Sequence, residues 1–217
     1  LIQKRKSGVI QAAKYIVEAD WFEPNKVDLY FNQKLSPGFF TWVIPINENL
    51  AKVGVAGYGI NTFAHLDSFL NTRKSKIINK IACPIVVGGP LDSFIEDSII
   101  RVGDSAGQTK PSTAGGIFSG GMGGILAGLN ISNNLSFNTS SLNHYETTWK
   151  NIFQKEFNMT LKARQIFEKL ENKHLDKIFS ILSSSSDFLD TINNAADFDF
   201  HSYPLLQSLG LKNIAQI

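Results

Sequence analysis

Residues 103–107, Gly-Asp-Ser-Ala-Gly, are the segment whose residue types and spacing are best suited to chemistry. A β-prone run, residues 98–102, precedes them, and glycine-rich sequence follows. A Gly-x-Ser-x-Gly sequence between a strand and a helix is the nucleophile elbow of serine hydrolases, in which Ser105 would be the nucleophile. Pro111 follows where the helix of an elbow has to continue, and a proline there interrupts a helix. The hydrolase interpretation therefore lacks part of its usual sequence context.

The same segment also fits a phosphate and flavin cradle. Asp104 can accept hydrogen bonds from ribose or ribityl hydroxyls, and the small residues after it let backbone N–H groups approach a pyrophosphate. A helix predicted to begin near Gly115 and Gly116 would direct its positive end at such a ligand. At a reduced flavin, that field would stabilise negative charge on the N1/C2=O edge. Lys110 would either contact a phosphate or lie in solvent.

Glycines recur every fourth residue through the following tract, at positions 116, 120, 124 and 128. This spacing lets two helices approach closely, in a membrane or in a soluble protein. The apolar tract covers about 16 residues, which is short of the roughly 20 that cross a bilayer core. We therefore predict no membrane span here. The spacing instead predicts a helix that packs closely on its neighbour.

Composition limits the classes of protein to consider. The chain has 217 residues, a net charge of +2, 43% hydrophobic residues and 18% charged residues. This balance predicts a folded protein, and the small net charge argues against a nucleic-acid partner. The single cysteine, Cys83, is predicted to be a buried, inert thiol, and one cysteine excludes an internal disulfide. The four histidines lack metal-ligand spacing, so no metal site is predicted.

The elements that must position these residues follow from hydrophobic periodicity. We predict strands over residues 9–17, 27–31, 39–44 and 51–56, the last two joined as a hairpin through the turn Asn47–Asn49. Helical spacing over residues 62–80 predicts a helix with Thr62 as its N-cap. A second, long helix is predicted from Leu142, followed by weaker helical segments that end near Tyr203 and Pro204. The predicted fold class is α+β.

Several segments of the sequence together resemble a known family. Residues 103–117, Gly-Asp-Ser-Ala-Gly-Gln-Thr-Lys-Pro-Ser-Thr-Ala-Gly-Gly-Ile, resemble the second FAD-binding motif of the geranylgeranyl reductase family, whose members have a glutathione-reductase-like FAD fold. Residues 37–45 and 51–56 resemble that family's substrate-domain signature. Residues 83–91 and the Tyr145-Glu146 pair fit it as well. The resemblance extends over nearly the whole chain and is weakest after about residue 183.

The resemblance implies FAD as cofactor and an isoprenoid lipid as substrate. It implies an antiparallel substrate-domain sheet over residues 1–98, an FAD-site segment over 99–140 and a helical region over 141–217. Reduced flavin would deliver a hydride to a double bond of a geranylgeranyl chain, in an ether lipid or a chlorophyll precursor, and protonation would follow. Cofactor contacts would come from Gly103, Asp104, Ser105, Ala106, Gly107, Pro111, Gly115, Gly116 and Ile117, and substrate contacts from Phe40, Trp42 and Gly54.

Other features of the complete enzyme stay open at this stage. No residue is identified as the proton donor, and the electron donor is either NAD(P)H or ferredoxin. The expected location is the cytoplasm, with peripheral contact to a membrane through the basic side of the long helix, which carries Lys150, Lys155, Lys162, Arg164 and Lys169.

The sequence also departs from the family pattern. Phe40 replaces a tyrosine, Ile44 a phenylalanine, Ile46 a lysine, and Ala56 the second glycine of Gly-x-Gly. The family's first FAD motif, Gly-x-Gly-x-x-Gly, does not occur in the 217 residues. We therefore expect the chain to be the C-terminal portion of a longer flavoprotein. Two alternatives remain: a serine hydrolase acting through Ser105, and a fragment that binds lipid without chemistry.

Overall fold

The computed structural model describes residues 8–97, 99–133, 139–184, 190, 193–194 and 197–202. Within these residues the chain forms two compact units. We call residues 9–85 with 165–176 the sheet unit. Gly8, residues 86–164 and the described residues from 177 onward form the second unit, which we call the glycine-loop unit. The three-part division expected from the family resemblance stays a prediction.

The sheet unit is built on a five-stranded sheet. Its strands are β1 (Val9–Glu18), β2 (Asp28–Tyr30), β3 (Thr41–Pro45), β4 (Leu50–Gly57) and β5 (Lys76–Val86). Their spatial order is β2-β3-β4-β1-β5, and the pairs β1–β4, β2–β3 and β3–β4 are antiparallel. Together with the helices of the chain, this sheet confirms the predicted α+β class.

The predicted hairpin joins β3 and β4. The Asn47 side-chain oxygen accepts hydrogen bonds from the backbone N–H groups of Asn49 and Leu50, both at 2.9 Å. The Ile46 N–H donates to the Leu50 carbonyl at 2.7 Å. An asparagine can satisfy its own turn in this way, which explains why it begins this one.

One face of the sheet is covered by helix α1 (Thr62–Leu70). Alternation along the strands directs Tyr15, Val43 and Val53 toward the helix, where Leu66 and Phe69 meet them. All five side chains are buried, so this packing forms the core of the sheet unit. The other face of the sheet, which carries Lys14, Trp42 and Gly54, does not pack on α1.

Two sequence predictions fail in this region. The predicted helix over residues 62–80 is wrong, because α1 ends at Leu70 and Ile77 and Ile78 belong to β5. The β-branched pair favours a strand, and the polar turn at Asn71–Ser75 separates the two elements. Thr62 is not the N-cap, because Asn61 caps the helix by accepting a hydrogen bond from the Ala64 N–H at 3.2 Å.

The glycine-loop unit contains a two-stranded antiparallel pair, β6 (Ile95–Glu96) and β7 (Ile99–Ile100), and a 3-10 turn over Gly103–Ala106. The strand predicted over residues 98–102 is thus limited to β7, and Ser98 lies outside the described residues. Helix α2 (Ile117–Asn133) follows. The predicted segments near Tyr203 and Pro204 also fall outside the described residues.

Two further helices follow in the described residues, α3 (Thr139–Phe167) and α4 (Asn172–Ser183). In the glycine-loop unit, α3 buries Tyr145, Trp149, Phe153 and Phe157 against Phe94 and α2. Among the described residues, no helix combines the length and the hydropathy that crossing a membrane requires.

Candidate functional site

The turn at residues 103–107 has a backbone that favours glycine at both ends. Gly103 has φ +63° and Gly107 has φ +73°, both in the left-handed region. The Gly107 N–H donates to the Asp104 carbonyl at 3.1 Å, and the Gln108 N–H donates to the Gly103 carbonyl at 3.0 Å. Because other residues adopt this region only with strain, the two glycines are required by the shape of the turn.

Ser105 uses its hydroxyl inside this turn. Its Oγ donates to the Val102 carbonyl at 2.8 Å and accepts from the Val102 N–H at 3.3 Å. Within the described part of the chain, no histidine is hydrogen-bonded to Ser105; His201 instead lies 3.0 Å from the Ser112 hydroxyl. The arrangement stabilises the turn and provides no general base for a serine nucleophile.

Asp104 presents its carboxylate at the surface of the turn. One oxygen, Oδ1, accepts a hydrogen bond from the Thr109 hydroxyl at 2.8 Å. The side chain is exposed, and a Cβ added to Gly116 would lie only 3.5 Å from Oδ1. Asp104 is therefore an accessible hydrogen-bond acceptor beside the first turn of α2.

Gln108 anchors the turn to α3. Its side chain is fully buried; Oε1 accepts from the Gly103 N–H, and Nε2 donates to the Tyr145 hydroxyl, both at 2.8 Å. The Tyr145 hydroxyl donates in turn to the Arg101 carbonyl at 2.8 Å. Burial is the largest of the effects that raise the pKa of Tyr145 to about 12, so its phenol stays protonated and can donate.

The first turn of α2 packs directly on this structure. A Cβ on Gly120 would lie 3.2 Å from the Gly103 Cα, so the helix approaches the turn backbone to backbone. The Ser119 hydroxyl donates to the Gln108 carbonyl at 2.5 Å. The first N–H groups of a helix lack intrahelical acceptors and carry partial positive charge. The positive end of α2 therefore lies beside the turn that carries Asp104.

Lys110 has a partner that neither sequence interpretation anticipated. Its ammonium group is largely buried, pairs with Asp199 at 3.0 Å and donates to the Phe198 carbonyl. A Cβ on Gly115 would lie 2.9 Å from the Lys110 Cε, so a side chain there would displace the end of the lysine. Lys110 is engaged by the chain itself and is not presented to solvent. Its partners lie 88 and 89 residues away in the sequence, and no local pattern signals them.

The nine predicted cofactor residues occupy one continuous loop of this unit. Gly103–Gly107 form the turn, and Gly115–Ile117 form the entry to α2, where the Ile117 side chain is 95% exposed. Pro111 lies between them, with its carbonyl accepting from Arg164 at 3.2 Å. An exposed carboxylate, small residues and a helix N-terminus fit the ribityl and pyrophosphate part of a flavin dinucleotide.

In the sheet unit, the three predicted substrate residues lie together. Trp42 on β3 pairs with Gly54 on β4, and a Cβ on Gly54 would lie 2.2 Å from the Trp42 ring. The indole therefore covers the glycine on the sheet face opposite α1. Phe40 precedes β3 rather than lying on it, and its ring centroid is 6.1 Å from that of Trp42.

A groove of about 230 Å³ opens beside Trp42 on the same sheet face. It is lined by Ala12, Ala13, Lys14, Trp42, Ile81, Cys83 and Ile85. The prediction that Cys83 is buried is wrong, because its thiol is exposed on the edge strand β5. Sequence analysis also missed Lys14 and Ile81, since only the pairing of β1 and β5 brings them to Trp42.

A second cavity, of about 390 Å³, lies elsewhere in the sheet unit. Its lining includes the acids Glu18 and Asp20 and the bases Lys74 and Lys76, and Lys76 forms an ion pair with Glu18 at 3.0 Å. Because most of its lining residues are polar and their charges balance, this cavity suits an apolar chain less well than the groove beside Trp42 does. In the described residues, no group of three or more metal-ligating side chains occurs.

Comparison with known proteins gives several relatives, although no family model matches the chain. An uncharacterized protein of Methanocaldococcus jannaschii is 32% identical over 206 residues, which is 92% of this chain and 53% of the relative. The digeranylgeranylglycerophospholipid reductase of the same organism is 29% identical and covers 87% of this chain and 51% of its own length. The chain thus spans about half the length of these relatives.

Solved structures with the same fold are also found. A geranylgeranyl bacteriochlorophyll reductase-like protein from Thermoplasma acidophilum superimposes with a TM-score of 0.74 at 21% identity, covering 95% of this chain and 53% of that one. The flavin-dependent brominase Bmp2 superimposes with a TM-score of 0.59 at 11% identity, covering 96% of this chain and 55% of that one. At these identities, the likeness establishes the fold alone.

Proposed function

We propose, from the premise that this chain is related to the geranylgeranyl reductase family, that it forms part of a flavin-dependent oxidoreductase acting on an isoprenoid lipid. The family resemblance found in the sequence is confirmed by relatives named digeranylgeranylglycerophospholipid reductase, at 26–29% identity over most of the chain. The reduction of geranylgeranyl double bonds, and the lipid that carries them, belong to the proposal. FAD agrees with the flavin dependence of structural neighbours such as the brominase.

The observation that carries the proposal is the loop from Gly103 to Ile117. It combines an exposed acceptor at Asp104, a turn whose glycines have positive φ, and the positive end of α2. These groups suit the hydroxyls and negative charges of a flavin dinucleotide, and a hydrolase would instead require a base beside Ser105. The hydrolase alternative has no such base among the described residues.

The chain's own residues would bind and orient, while the flavin would supply the hydride. Asp104 would accept a hydrogen bond from a ribityl or ribose hydroxyl of FAD, and N–H groups at the start of α2 would face its negative edge. Gln108 and Tyr145 would hold the turn in the required shape. In the sheet unit, the flat faces of Trp42 and Phe40 would bind the apolar isoprenoid chain.

Peripheral contact with a membrane belongs to the same proposal, because a geranylgeranyl lipid would be taken up from a lipid surface. Helix α3 carries four of the five basic residues predicted for that contact, since Lys169 follows its end, and Arg164 is buried. One of them, Lys150, already pairs with Glu146 at 2.7 Å, so its charge is partly neutralised within the chain.

The proposal is tested with a chimera in which this chain replaces the matched region of the M. jannaschii digeranylgeranylglycerophospholipid reductase. After reconstitution with FAD and reduction by dithionite, the chimera should add two hydrogens to each double bond of a geranylgeranyl lipid, read by mass spectrometry. Asp104→Ala should weaken FAD binding by about tenfold, as expected for one hydrogen bond to a charged acceptor.

The matched control is Asp92→Ala, which removes another exposed carboxylate from the same unit. It should leave FAD affinity unchanged. Equal FAD affinity in the Asp104→Ala variant would contradict the assigned role of Asp104. A fluorophosphonate probe that labels Ser105 would instead favour the hydrolase alternative.

A further inference from the structure

Among the residues that the structure describes, Lys14 is the one charged side chain in the lining of the groove beside Trp42. It lies on β1, directly opposite Gly54 on β4, and Gly54 in turn pairs with Trp42 on β3. The three residues therefore form a row across three strands. Since Tyr15 points to the core, alternation places Lys14 on the groove face, where it is partly buried.

The surroundings of Lys14 differ from those of three lysines in the sheet unit that lie within ion-pair distance of an acid. Lys26 pairs with Glu23, Lys76 pairs with Glu18, and Lys80 lies 3.8 Å from Asp67. For Lys14, the described residues provide no carboxylate within ion-pair distance, and the groove lining contains no acid. A lysine can extend its aliphatic stem along an apolar wall, but its ammonium group is stabilised by a counter-charge.

We propose that Lys14 is a specificity-determining residue that selects an isoprenoid carrying a phosphate group over an uncharged isoprenoid. This inference rests on the proposed function, because it assumes that the groove binds the isoprenoid. Trp42 and Ile81 would contact the apolar chain, and the Lys14 ammonium would donate hydrogen bonds to the phosphate oxygens. Charge complementarity carries the inference: a groove whose described lining has one cation and no anion favours an anionic amphiphile.

The size of the groove agrees with a site in which apolar residues contact the isoprenoid and Lys14 contacts its phosphate. At about 230 Å³ it is smaller than the roughly 300–1,000 Å³ of pockets that enclose a whole drug-sized ligand. It therefore accommodates the part of an isoprenoid next to its headgroup rather than the complete chain. The phosphate would come either from an isoprenyl phosphate or from the headgroup of a glycerol lipid, and both present the same oxygens to Lys14.

The exposed thiol of Cys83, which lines the same groove, provides the measurement. It is the single cysteine of the chain, so its rate of alkylation reports occupancy of the groove directly. The probes are geranylgeranyl phosphate, digeranylgeranylglycerol phosphate, geranylgeraniol and inorganic phosphate. At least one phosphorylated probe should half-protect Cys83 at about a tenfold lower concentration than geranylgeraniol, the effect of one hydrogen bond to a charged group. The tighter phosphorylated probe identifies the source of the phosphate, and inorganic phosphate alone should not protect.

Two variants and a control separate a role in specificity from a role in folding. Lys14→Met should lose the tenfold preference while geranylgeraniol protects as before, and Lys14→Arg should keep the preference. The control is Lys52→Met, an exposed lysine on the same sheet face that does not line the groove, and its preference should be unchanged. Circular dichroism verifies that each variant is folded.

Equal protection by phosphorylated and uncharged probes in the wild-type chain would overturn the role of Lys14. So would a preference that survives in Lys14→Met. Neither result affects the flavin experiment on the chimera, so the proposed function would stand. If no isoprenoid protects Cys83, the groove does not bind isoprenoids. That result would contradict both the isoprenoid site on this sheet face and the role of Lys14.

Discussion

At the scale of single residues, the pair Gly54 and Trp42 determines the shape of the groove face. A Cβ on Gly54 would lie 2.2 Å from the indole ring, a distance that side chains do not tolerate. Position 54 therefore requires glycine, because any larger side chain would overlap the indole of Trp42. Glycine in a strand interior is normally unfavourable, and close approach of another group is the usual reason for it.

We expect Gly54→Ala to displace Trp42 and to destabilise the chain by about 1–3 kcal/mol, the range measured for overpacked sites. The free energy of unfolding in urea and the tryptophan emission maximum are the measurements. The control is Gly121→Ala, at an exposed helical site where a Cβ meets nothing within 4 Å. That substitution should stabilise by about 0.5–1 kcal/mol. An unchanged stability and emission in Gly54→Ala would show that Trp42 does not occupy this position.

At the scale of elements, the hydrogen bonds of Tyr145 hold the turn at residues 103–107 against α3. Tyr145→Phe should cost about 1–3 kcal/mol, because it leaves Gln108 Nε2 and the Arg101 carbonyl buried without their partner. Tyr30→Phe is the matched control, since Tyr30 packs on Phe69 and the described residues give its hydroxyl no partner. Its effect should stay within about 0.5 kcal/mol. Equal losses in the two variants would contradict the anchoring role.

The same tyrosine predicts a dependence of stability on pH. Burial, with a contribution from Glu146, raises the pKa of Tyr145 from 10.0 to about 12 in the folded chain. The unfolded chain releases this proton near pH 10, so stability is complete below pH 10 and falls as the pH rises to about 12. Urea unfolding over this interval should show a smaller loss in Tyr145→Phe than in the wild type. An identical loss would mean that Tyr145 does not contribute.

The elements show what local sequence determines. The β3–β4 hairpin was predictable because Asn47 closes its own turn, and β1 was predictable because it mixes β-branched and small residues. The boundary between α1 and β5 was not predictable from the sequence. The apolar residues Phe69, Leu70, Ile77 and Ile78 follow one another at a spacing that fits a continuous helix. Only pairing at the edge of the sheet distinguishes β5 from a continued helix.

The two candidate sites also differ in whether local sequence could identify them. The loop of residues 103–117 is continuous in sequence, so a motif could identify it. Lys14 and Cys83 meet only because β1 and β5 are neighbours, and Lys110 meets Asp199 only through the folded chain. No local pattern records contacts of this kind, and they had to be obtained from the structure.

At the scale of the whole molecule, the chain corresponds to about half the length of its curated relatives. It contains one candidate flavin segment and no Gly-x-Gly-x-x-Gly sequence. A ligand of this kind is usually enclosed over most of its surface, and a single exposed loop does not enclose it. We therefore expect the lipid and flavin activities to separate when the chain is studied alone.

The 217-residue chain, mixed with FAD and passed over a gel-filtration column, should emerge colourless, while geranylgeranyl phosphate still protects its Cys83 from alkylation. The chimera with the M. jannaschii reductase should retain FAD through the same column, because the relative supplies the remaining polypeptide. An Asp104→Ala chimera is the control for specific retention and should lose flavin. Stoichiometric FAD on the chain alone would contradict the expected separation. A colourless chimera would contradict the flavin proposal, and it would leave a lipid-binding module as the function that agrees with the groove.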